Sequence, residues 1–170
     1  PIRLGRMKPD CSDLRFSNSD EKTGLNYWLE GGCNTAETRA WVRLPFLARG
    51  SVKNIYMYYG NPLAAPESSG ERTFLLFDDF SSAGVDPAKW EVLRGACRLE
   101  QGGGVLTFVA CGGGSQTPMT TLRAKAALPP PLAVEFDAYA DDSGREGVHH
   151  DIHLRWNGER TYGDVNLAAE

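Results

Sequence analysis

Apolar positions along this chain fall in short stretches and not at helical spacing. No sustained i, i+3, i+4, i+7 pattern runs through it. The stretches are Leu14–Ser17, Tyr27–Glu30, Ala40–Leu44, Asn54–Tyr59, Thr73–Phe77, Trp90–Leu93, Arg98–Gln101, Val105–Ala110, Thr120–Ala126, Leu132–Tyr139, Asp151–Trp156 and Thr161–Leu167. Gly, Pro, Asn and Ser bound them, as they bound strands. Many short strands at this spacing predict an all-β protein, an antiparallel β-sandwich or barrel. One short helix or turn is expected at Asp86–Trp90, with Asp86 as N-cap and Pro87 at the first helical position.

The segment Pro62–Arg72, PLAAPESSGER, lacks large apolar residues other than Leu63 and has a linker's composition. It marks either a boundary between modules 1–72 and 73–170 or a loop inside one domain. Charge shifts across the same region. Residues 1–78 carry 10 basic and 9 acidic groups, net +1, and residues 79–170 carry 8 and 13, net −5.

The chain has 170 residues, of which 41% are apolar and 24% charged, so a packed core is within reach and disorder is not expected. Gly and Pro together occupy 29 positions, in keeping with many turns. The overall charge of −4 disfavours a nucleic-acid partner. No apolar run is long enough to span a bilayer. The chain opens at Pro1 without a signal peptide, which reads as a trimmed piece of something longer.

Four cysteines are present with no CxxC spacing, which argues against a zinc ribbon, a redox motif or attached haem. Cys97 and Cys111 are symmetric about Gly104, so a turn at Gly102–Gly104 would set them opposite each other within disulfide range. Cys11 and Cys33 flank the first two expected strands. Of the three pairings four cysteines allow, 11–33 with 97–111 fits best; free buried thiols are the alternative. Two disulfides would imply an oxidising, extracellular compartment.

The runs GRMKPDCSDLRFSNSD, YWLEGGCNT, WVRLP and IYMYYGNP follow one another between Gly5 and Pro62. In this order they resemble the family of domain of unknown function 2341. That resemblance implies a part of a large secreted or surface-anchored prokaryotic protein, often archaeal. The run FLLFDDFSSAGVDPAKWEV, then GGVLTF and VEFDAYAD, resembles the opening of a concanavalin A-like or laminin G-like jelly roll. Members of the first family usually begin with further strands, and such jelly rolls run well beyond 92 residues. Both modules are therefore expected to lack strands, supplied by a longer chain or by a neighbouring subunit.

Glu135 and Asp137 stand at i and i+2, which on a strand puts both carboxylates on one face. Glycosidases of jelly-roll fold place their nucleophile and acid this way, but the third acid of their pattern is missing, since Ala138, Tyr139 and Ala140 follow. The alternative is a solvated strand face with Val134, Phe136 and Ala138 turned inward. The segment also resembles legume-type lectins, and that resemblance would carry a metal site onto Glu135, Asp137, Asp141 and His150. His149, Asp151 and His153 alternate, as a weak metal pair would, or as exposed polar residues do. Asp78 and Asp79 offer oxygens for a structural calcium ion or simply end a strand.

Tyr139, Trp156 and Tyr162 lie beside the polar residues Asp142, Arg155 and Asn157. Such a group would stack on sugar rings and orient their hydroxyls; the plainer reading makes Trp156 core. Trp28, Trp41 and Trp90 are expected in the core. There is no nucleophile elbow, no phosphate-binding loop and no N-glycosylation sequon. The resemblances imply a non-catalytic extracellular or cell-surface module that binds a glycan or another surface polymer, with no required cofactor. The rival expectations are a structural subunit of a filament, pilus, sheath or virion, with homo-oligomeric neighbours, and then a glycoside hydrolase.

Overall fold

The computed structural model describes residues 6–93, 98–109, 121–129 and 133–137, and the backbone of two further strands within 150–167. The elements are β1 (Arg15–Ser17), β2 (Gly24–Leu25), β3 (Tyr27–Gly31), β4 (Arg39–Val42), β5 (Tyr56–Tyr58), a single helical turn α1 (Gly70–Thr73), β6 (Trp90–Leu93), β7 (Arg98–Gly102), β8 (Val105–Val109), β9 (Thr121–Ala124), β10 (His150–His153) and β11 (Asp164–Leu167). All strand pairs among the described residues are antiparallel. The all-β expectation is met. The chain divides into two compact units, Pro1–Leu128 and Pro129–Glu170. In the second, β10 pairs with β11, His150 opposite Leu167.

In the first unit, β1 is the centre of a three-stranded sheet in the order β2-β1-β5. Phe16 stands opposite Leu25 on one side and Met57 on the other. The turn from β1 to β2 is built by Asp20, whose carboxylate accepts from the Lys22 and Thr23 amides and the Thr23 hydroxyl. The Thr23 hydroxyl bond, followed by the two amide bonds, holds this carboxyl down at about 2.

The core forms where β1 and β3 cross the N-terminal segment. Met7, Cys11, Leu14 and Tyr27 are buried, with Phe16, Leu29, Cys33, Val42 and Tyr59 packed against them. Phe16 and Tyr27 meet edge to face at 5.3 Å. Tyr27 donates its hydroxyl to the Leu14 carbonyl at 2.7 Å, so its one polar atom is satisfied inside. A disulfide joins Cys11 to Cys33 with Cα atoms 5.9 Å apart. Closing a loop of this length removes about 3 kcal/mol of chain entropy from the unfolded state.

The 62–72 segment, linker-like in composition, is tied to this core along its length. Lys8 Nζ donates to the Ala64 carbonyl and Arg15 Nη2 to that of Ala65. The Leu29 amide donates to Ser68 Oγ, and the Ser69 amide to the Tyr27 carbonyl. Its small side chains let the backbone lie against the outer edge of β3 and cap it, which composition alone reads as flexibility.

Three expectations change. Thr73–Phe77 is not a strand. Ser69 caps α1 by accepting from the Arg72 amide, Glu71 sits favourably in its first turn, and the apolar run beyond it folds over the Trp28 and Trp41 side of β3 and β4. The 133–137 part of Leu132–Tyr139 has no strand pairing, and Val134 and Phe136 are exposed and not turned inward. Its alternation finds no partner strand among the described residues, so Glu135 and Asp137 do not share a strand face. The β7–β8 turn is centred between Gly103 and Gly104, not on Gly104. Arg98 pairs with Val109 and Gly102 with Val105, and both turn glycines have positive φ, 61° and 84°. A two-residue turn of this kind matches strand twist and suits glycine at both positions. The symmetry argued for Cys97 and Cys111 therefore shifts by one residue; both cysteines lie outside the described residues.

The Asp86–Trp90 expectation appears as a tight turn. The Asp86 carboxylate accepts from the Ala88 amide, and its carbonyl accepts from the Lys89 and Trp90 amides.

Candidate ligand-binding face

Strands β3 and β4 form a hairpin with two unlike faces. Tyr27, Leu29 and Val42 join the core. Trp28 and Trp41, directly opposite each other, belong to the other face. A register shift between Leu29 and Gly31 makes Glu30 the extra residue of a β-bulge. Bulges re-aim side chains. Here the Glu30 carboxylate accepts from Trp41 Nε1 at 3.0 Å and lies 3.6 Å from Arg39 Nη1.

Phe74 and Phe77 close over the tryptophans. Trp28 meets Phe77 at 4.8 Å and Phe74 at 5.8 Å, both edge to face, and Trp41 meets Phe74 at 5.7 Å. The two phenylalanines are nearly parallel, 10° apart. The close fit needs Gly70, because a Cβ there would stand 2.3 Å from the Phe77 ring. Trp28 and Trp41 are thus half-buried in an aromatic cluster and not part of the main core. Trp41 is half-buried beside an exposed guanidinium and an oriented carboxylate.

A second aromatic–carboxylate pair forms around β6. Trp90 Nε1 donates to Asp78 Oδ2 at 2.7 Å, and the Trp90 ring stacks on Phe80. The other Asp78 oxygen accepts from the Phe80 amide, and Asp79 accepts from the Ser81 amide. Hydrogen bonds from Ser81 hold the Asp79 carboxyl below its usual range. These carboxylates, offered by the sequence as calcium ligands, spend lone pairs on turn amides and an indole. Burial lowers Lys89, but its bond to Glu71 and the charges of Asp78, Glu71 and Asp86 outweigh this and raise it.

Among the described residues no group of three His, Cys, Asp or Glu side chains is arranged to hold a metal ion. Glu135 and Asp137 are exposed. Of His150 only the strand backbone is described, and Asp141, Tyr139, Asp142, Arg155, Trp156, Asn157 and Tyr162 lie outside the described residues. The sequence set Trp28 and Trp41 aside as core. The signal that could have singled them out is the alternation itself, since Tyr27 and Leu29 already claim the inward face of β3.

Residues 10–93 match the family model described as domain of unknown function, DUF2341. The match extends past Pro62 through the Asp78-Asp79-Phe80 turn and Trp90, residues the sequence had assigned to the opening of a second module. The aromatic face and the Trp90 turn both lie inside it. No curated protein and no solved structure matches the chain. No helix of the described residues is long and apolar enough to cross a membrane.

Proposed function

We propose that this protein is a non-catalytic module of an extracellular or cell-surface protein and binds a carbohydrate or a chemically similar surface polymer. The observation that supports it is the β3–β4 face, where the half-buried Trp41 sits beside Glu30 and Arg39. Sugar rings present apolar C–H faces that stack on an indole and hydroxyls that need paired donors and acceptors. Arg39 supplies donors and the Glu30 carboxylate supplies acceptors in a fixed arrangement. The Cys11–Cys33 disulfide fits an oxidising compartment. The concanavalin A-like reading of the later segment, with a surface around Trp156, is the alternative location for the same function and rests on resemblance alone.

Tryptophan fluorescence titrated with a panel of glycans tests this. Binding should change the emission saturably, and Trp41→Ala should weaken it at least tenfold, while Trp156→Ala leaves it intact. The reverse pattern moves the site to the later segment. No response across the panel overturns the proposal.

A further inference from the structure

The face that holds Trp41 takes every second side chain along β4 and just beyond it: Arg39, Trp41, Arg43. The ladder runs one step past β4, because the Arg43 amide donates to the Asn26 carbonyl. Alternation therefore puts Arg43 on the Trp41 face. Its side chain agrees: Arg43 Nη1 donates to the Arg72 carbonyl at 3.2 Å, in the α1 turn that leads into Phe74, the ring lying on Trp41. The two ends of this face differ in charge. Toward the hairpin turn, Arg39 is matched by Glu30, and Glu37 stands in the turn itself. At the far end Arg43 and Arg72 are both exposed, and each guanidinium donates to a main-chain carbonyl, Arg72 Nη2 to that of Glu67 at 2.7 Å. Neither has a carboxylate partner among the described residues. The acids closest to Arg72 in sequence are engaged elsewhere, Glu67 with Arg15 and Glu71 with Lys89. Residues 38–66 hold four basic side chains and no acidic one, so the −4 of the whole chain is not the charge this end presents.

We propose that the glycan of this face is anionic, a chain of uronate or sulfated sugars. The inference rests on the glycan reading and names its ligand class. A carboxylate or sulfate group at the far end meets planar guanidinium forks that take two oxygens at once; a neutral sugar offers them only hydroxyls. Arg43 spends one N–H on the Arg72 carbonyl and keeps the rest of its five donors. A carbonyl orients the guanidinium without cancelling its charge, as a carboxylate would. Arg39 and Arg43 lie about 13 Å apart along the strand with Trp41 midway. A ligand that reaches both is an oligosaccharide or longer. Glu30 at the other end repels anions and accepts from hydroxyls. The ligand's acidic group therefore lies toward Arg43 and its hydroxyls toward Glu30.

Titration of the full chain, followed by tryptophan fluorescence and calorimetry, tests this with four probes: oligogalacturonate, its methyl ester, a sulfated galactan and the same galactan without sulfate. At least one acidic probe should bind tenfold or more tighter than its neutral counterpart, and the pair that differs tells whether carboxylate or sulfate is read. That binding should weaken as salt rises. Arg43→Gln keeps a donor for the Arg72 carbonyl but removes the charge, and should weaken the acidic probe at least fivefold. Lys22→Gln removes a charge from the exposed β1–β2 turn and should change nothing. Circular dichroism verifies that each variant is folded. A neutral glycan bound as tightly as the acidic probes, or bound when they are not, overturns the inference and leaves the glycan reading standing. Acidic binding that survives Arg43→Gln overturns it too, as does equal binding of inorganic polyphosphate, which would make the face a general polyanion patch. Silence from all four probes and from the whole glycan panel overturns both readings.

Discussion

Asp13 is among the most deeply buried side chains described, yet it is a carboxylate. It is stable there because its two oxygens accept from the Lys8 amide at 3.0 Å and the Gly60 amide at 2.5 Å. One residue thereby ties the N-terminal segment to the turn after β5. Burial pushes its carboxyl up, but the amides of Gly60 and Lys8, followed by the Lys8 charge, outweigh this and leave it below its ordinary value. A depressed folded-state value contributes stability above the unfolded value of about 4 and loses it as pH falls through the folded value. Asp13→Ala should cost about 1–3 kcal/mol at pH 7, because two buried amides lose their acceptor. Urea unfolding at pH 7 and pH 3 checks this: the gap between wild type and variant should narrow at the lower pH.

At the scale of elements, the chain's short strands are held by side chains more than by ladder length. The Glu91–Arg123 pair joins β6 to β9 across the strands. Lys125 Nζ donates to the Pro87 carbonyl at the end of the same ladder. The single turn α1 is far too short to be stable alone. It persists because Ser69 caps it, Thr73 Oγ1 donates to the Ser69 carbonyl, and Phe77 lies over Gly70. Gly70→Ala should therefore destabilise the protein by about 1–3 kcal/mol through overpacking against Phe77. A thermal melt should show the loss, and Gly70→Ala combined with Phe77→Leu should recover part of it. The Asp86 turn and the strands around it were legible in the sequence because their signals are local. The strand expected at Thr73–Phe77 was misread, because an isolated run of Phe and Leu looks alike whether it joins a ladder or folds over tryptophans.

Over the whole chain, burial is uneven. Every buried residue described lies at or before Thr73, while Val92, Val105, Phe108, Val134 and Phe136 are exposed. The β6–β9 and β7–β8 ladders have two strands each, a size that is marginal without further cover. Hydrogen exchange should show this as a gradient. Amides of β1 and β3 should exchange only through the largest opening, and those of β6–β9 should exchange orders of magnitude faster. Equal protection in both regions would contradict the reading. The all-β class, most strand positions and the Asp86 turn are readable from the residues alone, because strand alternation and turn chemistry act over a few neighbouring residues; Cys11 with Cys33, 22 positions apart, is the favoured one of three pairings the cysteines allow. Tertiary contacts set three further features: the 62–72 segment caps β3, Trp28 and Trp41 form a face with Glu30 and Arg39, and Asp13 is buried. The course of the 62–72 segment and the burial of Asp13 depend on contacts between residues 30 or more positions apart (Ser68 to Leu29, Gly60 to Asp13), which no local pattern encodes, and the tryptophan face depends on the bulge at Glu30 and on cover from Phe74 and Phe77.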